Sequence, residues 1–320
     1  MKMEPHREGE VHTSVLLEET VGLIDPRPGD LIVDATLGLG GHAKAMLQRE
    51  PGIRLFGIDQ DAEAIALAKA NLRGFEDRYE IAHTNFTDIK SALNAGGHSE
   101  ANGIIADLGV SSLQFDSESR GFSFRFDAPL DMRMDANGDL PTAAELLEEL
   151  SEEDIANLIY RFGEERFSRR IARRIVERRQ AGQPVSTTKE LSELVERSVP
   201  RSHKDKIHPA TRTFQALRIA VNRELDVLES FLKDSVELLA PSGRLAVISF
   251  HSLEDRIVKQ AFRRFSGRCE CPPRLPKCQC GAEKIVRILT KKPIVPTEAE
   301  IEQNPRARSA KLRAGEKFTD

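Results

Sequence analysis

Hydrophobic positions in the first 110 residues gather into short runs separated by amphipathic stretches. Asp30-Leu-Ile-Val-Asp34 and Arg54-Leu-Phe-Gly-Ile-Asp59 are compact runs rich in β-formers, and both read as buried strands. Tyr79 to Phe86 and Gly103 to Leu108 repeat the pattern. Between the runs, apolar residues recur at helical spacing. A helix to about Arg49 follows the first strand, and the stretch from Asp61 to Leu72 sets Ile65, Ala68 and Leu72 on one face. Strands alternating with helices predict a parallel sheet covered on both sides, a doubly wound α/β fold. Its ligand is expected beyond the carboxyl ends of the strands.

The alternation stops after Asp107. Gly121 to Asp127 (GFSFRFD) shows neither period, and from Pro141 to about Pro200 the chain reads helical, with Pro184 and Pro200 as breaks. A long helix over about Thr213 to Leu239 then leads into a fifth strand, Gly243 to Phe250. Lys284 to Thr290 and Ala310 to Glu316 read as two final strands. The pattern predicts one α/β domain built from residues 1–135 and 213–320 and interrupted by a helical insertion over 136–212.

Composition narrows the class. Hydrophobic residues are 39% and charged residues 31% of the 320, which excludes a disordered chain. No apolar run approaches the roughly 18 residues of a spanning helix. The start, MKMEPHREGEVHTS, lacks the apolar core of a signal peptide, so a cytoplasmic protein is expected. The net charge of −4 hides an asymmetry: residues 1–160 carry 13 basic and 30 acidic side chains, residues 161–320 carry 34 and 21. A basic surface on part of the chain points to a polyanionic partner. Arg161 to Gln180 holds eight arginines against three acids beside an apolar stripe, and Arg256 to Lys292 holds 11 basic residues against two acids near the expected ligand edge. The first of these makes 136–212 a candidate RNA-recognition domain but reads equally well as a solvated helix packed against the acidic run Glu145 to Asp154, which leaves Arg256 to Lys292 the stronger RNA candidate.

The candidate chemistry begins at Asp34-Ala-Thr-Leu-Gly38-Leu-Gly40-Gly41-His42-Ala43, a glycine loop between a strand and a helix. Asp59 ends the next strand, where a carboxylate can accept hydrogen bonds from ribose hydroxyls. Strand, loop, helix, strand and acid together predict a nucleotide or adenosyl ligand, and Gly38-x-Gly40-x-x-Ala43 also fits the dinucleotide fingerprint. The end of the fourth strand, Asp107-Leu-Gly-Val-Ser-Ser112, favours S-adenosylmethionine over NAD. An exocyclic amine on a base is a poor nucleophile because its lone pair is delocalised, and an acid placed there can accept one of its N–H hydrogens. Asp107 is therefore a candidate catalytic residue, with a strand-end turn acid as its plain alternative. His251, in Phe250-His-Ser-Leu-Glu-Asp-Arg256 after the fifth strand, is a second candidate, for orienting a base or moving a proton, and a structural hydrogen bond explains it equally well. No G-x-S-x-G elbow supports a hydrolase. Cys269, Cys271, Cys278 and Cys280 are enough in number for a tetrahedral zinc site, although their spacing is tighter than the usual hairpin.

Several motifs in order resemble a single family. They are His12-Thr-Ser-Val-Leu-Leu17, the loop from Asp34 to His42, Asp107 to Gln114, Arg120-Gly-Phe-Ser-Phe124, Leu130-Asp-Met-Arg-Met-Asp135, Phe250 to Arg256, and Asn304-Pro-Arg-Ala-Arg-Ser-Ala-Lys-Leu-Arg313. The chain resembles the bacterial MraW family, the ribosomal RNA small subunit methyltransferase H group, from about His12 to Lys317. The resemblance implies a class I methyltransferase, Rossmann-like sheet and N4-methylation of a cytidine in the decoding region of 16S rRNA. S-adenosylmethionine is the implied donor, and 16S rRNA or the small ribosomal subunit the implied partner. The donor contacts it implies fall on Gly40, Gly41, His42, Asp59, Phe86, Asp107 and Gln114. His42 and Gln114 rest on the resemblance alone. Asp34 stands four residues before Gly38, where two is usual in methyltransferases, which weakens it as a partner for the donor's ammonium group. Two other functions stay open: a non-catalytic RNA-binding or ribosome-assembly factor, and a NAD-dependent dehydrogenase, which would leave the basic half unexplained. The oligomeric state is open too, a homodimer included.

Overall fold

The computed structural model describes residues 14–109, 119–136, 138–200, 208–269, 271, 275, 279 and 282–319. The chain divides into two compact units, 1–109 with 229–320, and 110–228.

The first unit is built on seven strands: β1 (Leu31–Asp34), β2 (Arg54–Asp59), β3 (Tyr79–His83), β4 (Ala101–Asp107), β5 (Leu239–Ser249), β6 (Val286–Ile288) and β7 (Lys311–Lys317). They form one sheet in the order β3-β2-β1-β4-β5-β7-β6. The five strands from β3 to β5 pair in parallel, and β7 runs antiparallel to both its neighbours. Ile32, Val33, Ile104, Ile105 and Ala106 are fully buried, the continuous apolar run that a parallel strand covered on both faces requires. The helices of this unit are α1 (Leu17–Ile24), α2 (Gly41–Arg49), α3 (Ala62–Asn71), α4 (Ile89–Ala95), α11 (Ser252–Phe265) and α12 (Glu298–Gln303). Helix α2 buries Ala43, Met46 and Leu47, and α3 buries Ala64, Ile65 and Ala68, each a single stripe at helical spacing. Strand order reverses between β1 and β4, so a crevice opens beyond the carboxyl ends of those two strands.

The third strand ends earlier than its sequence pattern predicts. It stops at His83, and Phe86–Asp88 form a 3-10 turn in which the Asn85 side chain accepts the Thr87 N–H at 3.0 Å. A local side-chain bond of this kind competes with the ladder and terminates it.

The second unit holds α5 (Ala143–Glu149), α6 (Glu152–Gly163), α7 (Ser168–Gln180), α8 (Thr188–Ser198) and α9 (Ala210–Asn222). Thr142 and Thr187 form capping boxes with Glu145 and Glu190. Its core joins Ile155, Ile171 and Leu191 of the helices to Phe122 and Leu130 before them and to Phe214 and Leu217 of α9. The unit therefore reaches further at both ends than 136–212. The long helix expected over 213–239 is two helices, α9 and α10 (Glu224–Leu238), broken at Arg223, whose φ is 50°. The Arg218 guanidinium donates twice to the Glu224 carboxylate at 2.9 Å across the break. Asn222 fixes it: its Oδ1 accepts the Met134 N–H at 2.8 Å, and its Nδ2 donates to the carbonyls of Met132 and Arg218, both at 2.8 Å. Asn222→Ala strips these partners from half-buried backbone groups. It is expected to cost about 1–3 kcal/mol in a urea-unfolding experiment, and a change below about 0.5 kcal/mol would remove Asn222 from that role.

Among the described residues, no helix is long and apolar enough to cross a membrane.

Candidate active site

The carboxyl ends of β1, β2 and β4 each carry an aspartate: Asp34, Asp59 and Asp107. The glycine loop passes over them. Gly40 precedes α2 with φ 76°, a left-handed conformation that glycine adopts without a Cβ penalty. Gly41 opens the helix, and a Cβ there would lie 2.0 Å from the Ser14 hydroxyl. Its lack of a side chain is thus accounted for by the packing of Ser14.

Asp59 organises the loop. Its Oδ2 accepts the Gly38 N–H at 2.7 Å and its Oδ1 accepts the Asp61 N–H at 2.8 Å, so one carboxylate ties the glycine loop to the start of α3. Burial pushes its pKa up, opposed by those N–H groups. Asp34 is 1% exposed and accepts the Thr36 N–H at 3.3 Å. Burial, reinforced by the charge of Asp59, raises its pKa to about 7 against the N–H groups of Thr36 and Ala43. The four-residue offset from Gly38 thus gives Asp34 a place beneath the loop's backbone.

Asp107 is placed by its own backbone. Its N–H donates to the Thr36 hydroxyl at 2.6 Å, locking the end of β4 to the loop after β1. About a quarter of the side chain is accessible, yet Oδ1 is buried with no hydrogen-bond partner among the described residues. Burial and then the charges of Asp34 and Glu254 push its pKa up to about 8. A buried acceptor oxygen without a donor is costly unless something else fills the site.

His42, in the first turn of α2, is buried. Its Nε2 lies 3.1 Å from the Val15 carbonyl and its Nδ1 3.9 Å from Asp107 Oδ2. With Nε2–H donating to the carbonyl, the lone pair of Nδ1 faces the aspartate. The structure thus brings Asp34, His42, Asp59 and Asp107 together around the crevice. Phe86 lies just past the end of β3, half-buried, with its ring edge-on to Phe231 at 5.1 Å. Gln114 lies outside the described residues.

His251 caps α11. Its Nδ1 accepts the Glu254 N–H at 3.4 Å and its Nε2 stands 3.1 Å from Glu254 Oε1, while Glu254 Oε2 accepts the N–H groups of Phe250 and His251. Both side chains are nearly inaccessible. Helix α11 starts at the ligand edge and runs away from it for 14 residues, so Arg263 and Arg264 sit in its last turn, roughly 20 Å on, where they oppose the helix dipole. Arg263 and Arg264 are therefore not at the ligand edge. Of the four cysteines, Cys278 and Cys280 lie outside the described residues, and Cys269 Sγ accepts the Cys271 N–H at 3.4 Å.

Ser14, Val15 and Thr36 fall inside the motifs that carry the resemblance, but their contacts with Gly41, His42 and Asp107 follow from which segments lie side by side. Glu254 has a local signal: it stands three residues after the capping residue, ahead of an apolar helix face.

A sheet ordered β3-β2-β1-β4-β5-β7-β6 with only β7 reversed, and acids ending the strands around a glycine loop, define a class I methyltransferase. The acids suit a donor that is a cation at both its sulfonium and its ammonium. The chain belongs to the MraW methylase family, whose model matches residues 9–318. It is similar to the ribosomal RNA small subunit methyltransferase H of Brevibacillus brevis, 48% identical over 309 residues that cover 96% of this chain and 98% of that protein. The protein of the same name from Syntrophotalea carbinolica is 50% identical over 305 residues, 95% of this chain and 96% of its own. Among solved structures, an rRNA methylase from Streptococcus thermophilus aligns over 97% of this chain and 99% of its own at 9% identity and a TM-score of 0.41. The dehydrogenase reading of the glycine loop falls with the family assignment.

Proposed function

We propose that this protein transfers a methyl group from S-adenosylmethionine to N4 of a cytidine in the decoding region of 16S rRNA, in the cytoplasm. The observation that carries the reading is Asp107, an aspartate with a buried oxygen that has no partner among the described residues, at the switch point of a methyltransferase sheet. The names of the relatives and the motif resemblance support the substrate.

In this reading Asp59 accepts the ribose hydroxyls, Gly40 and Gly41 let the loop backbone approach, and Phe86 lies on the adenine. His42 and Gln114 join the donor site. The base is unpaired or flipped into the crevice. The bond from N4 to the methyl carbon forms as the carbon–sulfur bond breaks, leaving a neutral thioether and a cationic amine that loses one N–H proton. Asp107 accepts that N–H and draws the lone pair out of the ring. His251 orders the start of α11 through Glu254.

The test is incubation with S-adenosylmethionine carrying a labelled methyl group, with stripped 16S rRNA or isolated small subunits as substrate. Nucleosides are then identified by mass. N4-methylcytidine is expected, and label on another atom or no label overturns the assignment. Asp59→Ala is expected to weaken donor binding by about 1.5–3 kcal/mol in calorimetry, the worth of hydrogen bonds from a charged group. Unchanged affinity would remove Asp59 from the ribose.

A further inference from the structure

The helical unit carries a face that its own fold does not use. Helix α7 buries Ile171, Ala172, Ile175 and Val176, and Arg169, Arg170 and Arg173 stand exposed on the opposite side, with Arg166 exposed one turn earlier. Arg169 and Arg173 are four apart on the helix, so like charges are stacked along it, an arrangement that weakens it, and Arg166 stands in the turn before it with its guanidinium over the Phe167 ring. Among the described residues the acidic run meets this row at one point, Glu152 with Arg173. Glu145 and Asp154 bond to Thr142 and Ser151 at the starts of α5 and α6, and Glu152 comes within 3.8 Å of Arg173 with both side chains largely in solvent. The remaining arginines at the end of the helix are structural: Arg179 donates to the carbonyls of Leu147, Glu148 and Leu150, and Arg178 to Glu190 and the Gln183 carbonyl. Tyr160 of α6 is 62% exposed, an aromatic face in solvent in the same helical unit.

We propose that the outer face of α7, with Arg166, Arg169, Arg170 and Arg173, is the track on which the phosphate backbone of the substrate RNA docks. The proposal rests on the reading of the chain as an rRNA methyltransferase and adds where the RNA is held. Arginine forks suit phosphate oxygens, and an exposed row of them is complementary to a polyanion. An anionic membrane is a poor occupant, because the apolar stripe such a helix would insert is already in the core.

The test compares the full-length protein with the triple variant Arg166→Glu, Arg170→Glu, Arg173→Glu, in binding to a 16S rRNA transcript across a salt series. The triple variant is expected to bind at least about fivefold more weakly. Its dependence on log salt should be shallower by about 0.7–0.9 for each phosphate it no longer engages. Its affinity for S-adenosylmethionine and its thermal midpoint should be unchanged. Should the glutamates lower the midpoint, the corresponding glutamine triple should still show the weaker binding and shallower slope. Arg263→Glu with Arg264→Glu should leave RNA affinity nearly as it was. Equal affinity and slope in the triple variant, or an equal loss in the α11 pair, overturns the track while leaving the methyltransferase reading standing. Polyglutamate competing as well as RNA of equal charge would point to an acidic protein instead and overturn it as well. Absence of RNA binding by the unmodified protein would bring down both readings together.

Discussion

Replacing Asp107 by asparagine is expected to slow methyl transfer by about 10²-fold or more at saturating S-adenosylmethionine, the scale of a general-base or electrostatic contribution. Asparagine keeps the shape and one acceptor oxygen but has no charge and cannot take a proton. The backbone N–H of residue 107 still donates to Thr36, so the end of β4 should hold its place. RNA binding should survive, since the proposed phosphate track does not include Asp107. Single-turnover kinetics separate the chemical step from donor binding, which is also expected to weaken. A near-normal single-turnover rate would reduce Asp107 to a strand-end acid and shift attention to His251.

The second large effect is on pH. With Asp107 raised to about 8 and Asp34 to about 7, the crevice of the donor-free protein is substantially protonated at pH 6. A cationic donor prefers both groups ionised, so binding at low pH must expel protons, and affinity rises with pH. Between pH 6 and pH 8 the dissociation constant should fall at least about tenfold, from about one unit of pH dependence per group below its pKa. Calorimetry in two buffers of different ionisation heat should show protons released at pH 6 and fewer at pH 8. Stability of the donor-free protein moves the other way. Both carboxyls ordinarily titrate at 3.8, so the folded state retains protons that the unfolded chain has already lost. Their contribution to stability is full below about pH 4 and is lost as pH climbs through about 7 and 8. A donor affinity that is flat from pH 6 to 8 would show that the buried aspartates do not face the cation.

The parallel sheet was legible because β1, β2 and β4 are each an apolar run ending in an acid, and that same ending located Asp34, Asp59 and Asp107. Two boundaries were not. The His83 end of β3 depends on a side-chain bond from Asn85, and the break at Arg223 depends on Asn222 reaching carbonyl and amide groups some 90 residues earlier in the chain. Hydrophobic period carries neither. The crevice was half legible: its acids follow from strand ends, whereas the Thr36 hydroxyl under Asp107 and the Val15 carbonyl under His42 follow from which strands and segments lie side by side. Charge gave the basic segments but not their address. Only burial shows that the arginines of α7 face outward and that Arg263 and Arg264 lie a helix length from the ligand edge.

The place of β5 in the sheet has a consequence for synthesis. β4 is completed at Asp107, but its partner begins only at Leu239, after the whole helical unit has been made. At ordinary elongation rates of about 5–20 residues per second, the nascent half-sheet waits on the order of ten seconds with an apolar edge strand uncovered. The helical unit has its own core and can close in that interval. The sheet cannot, since β7, which seals the far side of β5, is made later still. Throughout that wait the edge open to chaperones would be β4, the strand that carries Asp107.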